Sequence, residues 1–304
     1  MSLGGLVMRA RSGFYTVLTD DGDLVEARLR GRVKRDRQAS DLVVIGDRVG
    51  FERLPDGTGA IESVEPRTSR FSRRQPGPRG AWREDVMVAN PDLVMIVFAC
   101  DRPVPNPRLI DRFLVVAEHN GLPVMLVANK VDLVSRDAAA AVFEPYAAIG
   151  YEVAYASARE HIGLDRLGEG INGRLSIVTG PSGVGKSTLL NAIQPGLRIA
   201  TGDVSDALNK GRHTTTLAEL HTLEGPAGGY VADTPGIREL GLWQIPPAEL
   251  AWCFREFREH LGACAFNNCT HLHAPRCAIR AAVERETIAP ARHDSYRRLL
   301  TGEA

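Results

Sequence analysis

The stretch LSIVTGPSGVGKS, residues 175–187, is an apolar run followed directly by a glycine-rich loop. Its last eight residues fit G-x-x-x-x-G-K-[ST], and a helical pattern follows, which is the strand, loop and helix order of a phosphate-binding loop. Glycines let such a loop turn tightly enough to aim N–H groups at phosphate oxygens. We therefore predict an α/β domain that binds a nucleoside triphosphate, with Lys186 on the β- and γ-phosphates and Ser187 on Mg²⁺. The predicted phosphate contacts are Gly180, Pro181, Ser182, Gly183, Val184, Gly185, Lys186, Ser187 and Thr188.

A second motif, Asn129-Lys130-Val131-Asp132, follows an apolar run and fits N-K-x-D. A carboxylate at Asp132 can accept hydrogen bonds from both donors on the guanine edge, and adenine lacks that pair of donors. Asn129 can donate to the acceptor edge of the base, and the Lys130 stem can cover its plane. Four such residues alone could simply cap a helix. The phosphate loop in the same domain favours guanine, so we predict that all four residues bind it.

The order of the motifs is reversed relative to most GTPases. The base motif precedes the phosphate loop by about fifty residues, whereas it usually follows the loop. Because chain ends often lie close together, a circular permutation can move the ends without changing which residues meet in space. Ser157-Ala158 follows the apolar run 152–156 and is a candidate for a backbone contact to guanine O6.

Two further segments resemble GTPase switch regions. Asp233-Thr234-Pro235-Gly236 fits D-x-x-G, so Asp233 is predicted to hold Mg²⁺ and the Gly236 N–H to meet the γ-phosphate. Upstream, a threonine run in residues 211–216 offers a second magnesium ligand, for which we choose Thr215. An edge strand is the alternative interpretation of that run.

The position after D-x-x-G holds Ile237, where many GTPases carry a glutamine that orients the attacking water. An isoleucine cannot do this, so we predict slow intrinsic hydrolysis. His213 is our candidate for the group that positions water when a partner binds. A solvated loop histidine with no catalytic role is the alternative.

A metal site is predicted near the C-terminus. Cys264, Cys269, His271 and Cys277 supply three thiols and an imidazole within fourteen residues. This donor set suits tetrahedral Zn²⁺, and with no open position the role would be structural. His273 competes with His271 as the fourth ligand, and spacing alone does not decide between them.

The organisation of the chain indicates three domains. Residues 1–70 show short alternating strands, predicted at 14–18, 24–29 and 42–45, with turns typical of a small barrel or sandwich. Residues 71–85 are rich in Arg, Pro and Gly, which predicts a linker. Residues 86–242 alternate apolar strands with amphipathic helices, and 243–304 are helical. The predicted strands of the central domain are 93–100, 123–129, 152–156, 175–179 and 230–232, and its helices include 107–119 and 137–149. The predicted helices of the tail are 247–260, 278–286 and 291–300.

Composition excludes some classes of function. The 304 residues carry a formal net charge of zero, so global charge gives no argument for nucleic-acid binding, and any basic surface must be local. Such surfaces could come from arginines of the barrel or of the tail, where Arg280, Arg285, Arg292, Arg297 and Arg298 could contact phosphates. No apolar run is long enough to span a membrane and no signal peptide is evident, so we expect a cytoplasmic protein.

Together these motifs resemble the ribosome small subunit-dependent GTPases, the circularly permuted RsgA/YjeQ family. The resemblance rests on the N-K-x-D motif, the phosphate loop, the Gly211–Thr216 and Asp233–Gly236 segments and the Cys/His spacing, in that order. It implies an N-terminal OB-fold, a permuted GTPase domain and a helical zinc-binding domain with His271 as the ligand. It also implies GTP hydrolysis stimulated by the small (30S) ribosomal subunit and its rRNA, late in maturation of that subunit. We expect a monomer.

Two other functions fit the residues. One is a GTP-regulated adaptor for a protein partner, in which turnover matters little. The other is a zinc-stabilised RNA-binding protein whose nucleotide only stabilises the fold. An ATPase would show no preference for GTP, whereas the carboxylate of Asp132 predicts a preference for guanine.

Overall fold

The structure, a computed structural model, describes residues 3–31, 43–76, 82–197, 218–225, 227–233 and 245–303. Within these ranges the chain forms, in order, a β-barrel, an α/β domain and a helical domain. No described helix has the length and apolar character that crossing a membrane requires.

The N-terminal region is a closed five-stranded barrel. Its strands are β1 (Leu3–Arg11), β2 (Phe14–Thr19), β3 (Leu24–Leu29), β4 (Arg48–Arg53) and β5 (Gly59–Val64). They pair in the order β1-β2-β3-β5-β4, and β4 closes on β1. This is the strand order of an OB-fold, and alternate side chains of each strand fill the interior. The predicted fold class of this region is confirmed.

Two details of the N-terminal half differ from the sequence-based expectation. Of the predicted strand at 42–45, the described residues 43–45 form no regular strand, and Ile45 makes an isolated bridge to Val88. The predicted linker contains β6 (Arg70–Pro76) and β7 (Trp82–Ala89), which pair antiparallel. The sequence does not predict this hairpin, because the segment is rich in Arg, Pro and Gly and lacks the alternation of apolar and polar residues typical of strands. Its two strands form by pairing with each other.

The central domain is a doubly wound α/β sheet. Its strands are β8 (Leu93–Ala99), β9 (Val124–Asn129), β10 (Glu152–Tyr155), β11 (Leu175–Thr179), β12 (Ala218–Thr222) and β13 (Tyr230–Asp233). Their order is β10-β9-β8-β11-β13-β12, with only β12 antiparallel to its neighbour. The described helices are α1 (Pro107–His119), α2 (Arg136–Ala148), α3 (Leu164–Ile171) and α4 (Lys186–Ile193). Buried side chains form one apolar cluster on each face of this sheet.

The strand order identifies where a ligand should bind. Successive strands run outward from β8 in one direction and from β11 in the other, so the sheet reverses its order between these two strands. A crevice opens at such a point beyond the carboxyl ends of the strands. The glycine-rich loop after β11 lies at this crevice.

The barrel and the α/β domain are joined in two ways. Strand β1 pairs with β12, which makes one continuous sheet, and Arg9 forms an ion pair with Glu219 across that junction. Within the barrel region, the fully buried Asp47 carboxylate supports the second contact by binding Arg67 through two hydrogen bonds of 2.7 and 2.8 Å. Gly46, with φ +84°, packs so closely on the Ala89 carbonyl that a Cβ would overlap it. These contacts fix the barrel on the central domain.

The C-terminal domain contains less regular helix than its sequence suggests. The described helices are α5 (Pro247–Leu250), α6 (Ala278–Glu284) and α7 (Pro290–Thr301). The single helix predicted at 247–260 is broken into α5 and two 3₁₀ segments, Ala251–Cys253 and Arg255–His260. Phe254 is extended at the break, and its ring stacks on Phe257 and contacts Tyr296 edge-to-face in the domain core. Packing of these rings therefore overrides the helical pattern.

Replacing Asp47 with alanine should destabilise the fold by about 3 kcal/mol, because the largely buried Arg67 guanidinium would lose the Asp47 carboxylate. Chemical denaturation followed by circular dichroism measures the change. The matched control is Asp23→Ala, since the ion pair between Asp23 and Arg53 is exposed on both sides and should matter little. Equal losses for the two variants would contradict a stabilising role of the buried Asp47–Arg67 pair.

Candidate functional site

The loop after β11 has a backbone that only glycine permits at two positions. Gly180 adopts φ +140°, and a Cβ there would overlap the Val97 carbonyl of the neighbouring strand. Gly185 precedes α4 with φ +92°, and its Cβ would lie 2.7 Å from the Asn129 amide nitrogen. The loop therefore packs against two strands while it turns into the N-terminus of α4. Backbone N–H groups and a helix N-terminus meet there, which is the arrangement that binds phosphate.

Lys186 stands at the first turn of α4 with its ammonium group over the loop. Its Nζ donates hydrogen bonds of 2.8 and 2.6 Å to the carbonyls of Gly180 and Pro181. Ser187 follows on the same turn and is partly exposed, and Thr188 is exposed. The positive charge and the hydroxyl are thus both at the mouth of the crevice, where a β- or γ-phosphate and its Mg²⁺ would lie.

The N-K-x-D motif lies directly beside this loop. The Asn129 amide is buried and donates a 2.8 Å hydrogen bond to the Val184 carbonyl. Lys130, in a left-handed conformation with φ +61°, donates from Nζ to the carbonyls of Gly183, at 2.7 Å, and of Arg102. Two motifs that the sequence separates by 55 positions therefore form a single structure.

Asp132 is held by a neighbour whose role the sequence did not reveal. The buried Ser157 hydroxyl donates a 2.6 Å hydrogen bond to one carboxylate oxygen of Asp132, which is itself exposed. The backbone of Ser157 is in turn fixed by a bridge to Ile162. The predicted backbone contact of Ser157 and Ala158 to guanine stays a prediction. In addition, the Ser157 hydroxyl orients the carboxylate that would read guanine, and Ala158, partly buried, follows it in the same loop.

A thiol lies close to the base motif without taking part in it. Burial, with the negative charge of Asp132 as a second cause, raises the pKa of Cys100 to about 11. The thiol therefore stays protonated at neutral pH and does not compete with Asp132 as an anion.

Of the predicted switch residues, only Asp233 lies within the part of the chain that the structure describes. Asp233 ends β13, whose parallel pairing of Ala232 with Ile177 brings that end beside the start of the phosphate loop. His213, Thr215 and Gly236 lie outside the described residues.

The Cys/His cluster is assembled as a compact set of donors. One ligand atom from each of Cys264, Cys269, His271 and Cys277 lies within 4.8 Å of all the others. The Nδ1 atom of His271 is 3.5 Å from the sulfurs of Cys264 and Cys277, and those sulfurs are 3.9 Å apart. A tetrahedral ion with ligands at about 2.1–2.3 Å separates its ligand atoms by about 3.5–3.8 Å. The residues therefore fit a tetrahedral metal ion.

Groups next to the cluster hydrogen-bond to its sulfur atoms and favour the neutral form of its histidine. Backbone N–H groups of Ala278 and Arg280 donate to the sulfurs of Cys264 and Cys277. Burial, with His293 as a second cause, lowers the pKa of His271, so its imidazole is neutral at pH 7 and can act as a ligand. The cluster contains His271 rather than His273.

Comparisons with known proteins agree with this geometry. Residues 64–243 match the family described as RsgA GTPase, and residues 4–61 match the RsgA N-terminal domain. The chain is 47% identical over 300 residues to the small ribosomal subunit biogenesis GTPase RsgA of Gemmatimonas aurantiaca, covering 98% of this chain and 96% of the relative. The protein of the same name from Carboxydothermus hydrogenoformans is 40% identical, with 96% and 94% covered.

Two solved structures have the same overall fold. YjeQ from Thermotoga maritima superimposes with a TM-score of 0.79 at 32% identity, covering 100% of this chain and 99% of that one. YloQ, described as a circularly permuted GTPase, gives a TM-score of 0.75 at 30% identity, with 100% and 95% covered. The permuted order inferred from the motifs is therefore confirmed.

Substitution should separate the two histidines of the Cys/His cluster. His271→Ala should reduce bound metal from about one ion per chain to a small fraction, because three thiolates would remain for a four-coordinate ion. His273→Ala is the matched control and should retain the ion. Elemental analysis after dialysis against a weak chelator measures both. Loss of metal from His273→Ala but not from His271→Ala would contradict the assignment.

Proposed function

The chain belongs to the RsgA family of GTPases and is a GTP-hydrolysing enzyme, and we propose that it acts on the small ribosomal subunit during its late maturation. Relatives that align along nearly its whole length are named as GTPases of small ribosomal subunit biogenesis, which assigns this chain to the same process. In the proposal the enzyme binds the subunit through its rRNA, and that contact stimulates slow intrinsic hydrolysis.

The observation that carries the nucleotide assignment is the contact between Asn129 and the phosphate loop. The Asn129–Val184 and Lys130–Gly183 hydrogen bonds place Asp132 at a fixed distance from the loop that receives the phosphates. A guanine on Asp132 and a phosphate chain on the loop can then be bound at once. An adenine would leave the carboxylate without its two donors, which disfavours ATP.

The hydrolytic centre is proposed from residues at the carboxyl ends of β11 and β13. Ser187, Asp233 and Thr215 would hold Mg²⁺, which neutralises charge on the β- and γ-phosphates. Lys186 would move its ammonium from the loop carbonyls to the phosphate oxygens, and the Gly236 N–H would meet the γ-phosphate. Ile237 cannot orient water, so we assign that task to His213 in the subunit-bound state.

We propose that the Cys/His cluster holds Zn²⁺. Three thiolates and one imidazole form a closed tetrahedral set, so the ion would stabilise the C-terminal domain rather than take part in hydrolysis. The domain core packs against the cluster: the Tyr296 hydroxyl donates to the Thr270 carbonyl, and a His293 ring nitrogen lies 2.9 Å from the carbonyl of the ligand His271.

The structure narrows the set of arginines available for RNA. Arg292 is buried in ion pairs, so the expectation that it contacts phosphates is wrong. Arg297 and Arg298 pair with Asp294, and Arg30 of the barrel pairs with Glu52 and Glu62. Among the described residues, Arg28 on β3 is a better candidate, since it stacks on the half-exposed ring of Phe14 beside β1. A guanidinium and a ring on an open sheet face can contact phosphate and base together.

We assign these roles to residues 1–70 for RNA contact, 86–242 for GTP and 243–304 for zinc. The protein would act in the cytoplasm, as a monomer on its own.

Asp132→Asn should weaken GTP binding roughly 10- to 150-fold, the equivalent of about 1.5–3 kcal/mol for a lost charged hydrogen bond. The variant should gain affinity for xanthosine triphosphate, because an amide can donate to the carbonyl that replaces the guanine amino group. Competition titration with a fluorescent GTP analogue measures both effects. Asp137→Asn, an exposed acid in the first turn of α2, is the control and should bind like wild type. An unchanged GTP preference in Asp132→Asn would contradict the assignment.

Purified small subunits should raise GTP turnover by roughly tenfold or more, as partner-supplied groups do in other GTPases, and should leave ATP untouched. Phosphate release with and without subunits measures this, with large subunits as the control. No stimulation would favour the adaptor function instead.

His213→Ala should bind GTP normally but lose most of the stimulation, and a stimulated rate equal to wild type would remove His213 from the mechanism.

A further inference from the structure

Helix α1 has two faces, and each one packs on a different domain. Its apolar face contributes to the core of the central domain, through Ile110, Phe113, Leu114 and Ala117. The opposite face carries Arg108, Asp111, Val115 and Glu118, spaced three or four positions apart, and all four contact the C-terminal domain. Residues at this spacing form one stripe of a helix. The C-terminal domain is therefore docked along the whole length of α1.

The most deeply buried ion pair of this interface lies at the start of α1. The Arg292 guanidinium on α7 lies 2.5 Å from Asp111, and its other side binds Glu256 of its own domain at 2.6 Å. All three side chains are less than one-tenth exposed. The Tyr146 hydroxyl of α2 completes the group, lying 2.9 Å from the Asp111 carboxylate and 3.2 Å from the Pro107 carbonyl.

A second ionic contact holds the other end of the helix. Glu118, which is almost fully buried, binds Arg255 at 2.6 Å and Arg258 at 2.5 Å. The Arg255 guanidinium also stacks on the Tyr151 ring, 3.9 Å from its centre. With both ends fixed, the direction of α1 depends on the C-terminal domain.

The N-terminal end of α1 leads directly into the predicted guanine site. Residues 100–106 connect β8 to α1, and within this connection the Arg102 carbonyl accepts a hydrogen bond from Lys130 Nζ. The same Lys130 atom binds Gly183 in the phosphate loop. The carbonyl that positions Lys130 is thus five residues from Pro107, where α1 begins and where Tyr146 and Asp111 are anchored.

We infer that Arg292 and Asp111 are positioning residues for guanine-nucleotide binding: the C-terminal domain fixes the first turn of α1, and thereby the connection that holds Lys130 against the base. Neither residue touches nucleotide. The inference rests on the proposed guanine site, since it assigns a cause to the placement of Lys130.

The experiment compares two carboxylates that bind the same guanidinium. Asp111→Asn breaks the pair that joins the domains, whereas Glu256→Gln breaks the pair inside the C-terminal domain and leaves α1 untouched. Asp111→Asn should weaken binding of a fluorescent GDP analogue roughly 5- to 50-fold, within the usual range for coupled sites. It should raise KM for GTP and leave kcat nearly unchanged, because the base contact is equal in the ground and transition states. Glu256→Gln should bind the analogue within about twofold of wild type.

Circular dichroism and metal content, measured at a temperature well below unfolding, show whether each variant is folded. Asp111→Asn binding within about twofold of wild type while folded would overturn the inference, and so would an equal loss in Glu256→Gln. Should Asp111→Asn fail to fold, Arg292→Lys takes its place and is compared with Glu256→Gln, because Arg292 also binds Glu256. Weaker binding by Arg292→Lys than by Glu256→Gln supports the inference, and equal binding overturns it. Failure of wild type to bind the GDP analogue would instead refute the guanine site.

Discussion

The buried hydrogen bond between the Asn129 amide and the Val184 carbonyl is the contact on which the nucleotide site depends. It requires Gly185 to be a glycine, because a side chain there would meet the Asn129 amide. It also requires β8, β9 and β11 to be parallel neighbours, so that the loops after β9 and β11 emerge at one edge of the sheet. Chain order does not enter these requirements, which is why a permuted chain can keep a complete site.

Permutation does change what is attached to the site. The chain enters the central domain from the barrel, whose β1 extends the same sheet through β12. It leaves that domain after β13, so the D-x-x-G segment leads directly into the C-terminal domain. That domain then returns to α1 and packs along it, with buried ion pairs at both ends. The barrel and the domain that carries the Cys/His cluster are thus each joined to the central domain by packed and ionic contacts.

Periodicity and motif spacing predicted the parts of the fold that depend on local pattern. The bounds of β3, β11 and α1 agree residue for residue, because an apolar run or a helical stripe defines each one. Strands β1, β4 and β5 were missed, since glycine and arginine interrupt their alternation and barrel closure supplies their partners. The helix predicted at 247–260 failed because the ring cluster around Phe254 requires an extended residue there.

The residues of the candidate site and its surroundings also fall into two groups, those whose roles the sequence predicts and those whose roles depend on the fold. Roles for motif residues such as Lys186 and Asp132 could be predicted from the chain alone, since their chemistry depends on spacing. The burial of Arg292 could not, because its partner Asp111 lies 181 positions away. The Ser157 hydroxyl likewise acquires its role only when β9 and β10 pair. A crystal structure of the protein with GDP and Mg²⁺ tests the account most directly. It should show the guanine N1 and N2 donors on Asp132 and the phosphates over residues 180–187, and a base bound away from Asp132 would contradict it.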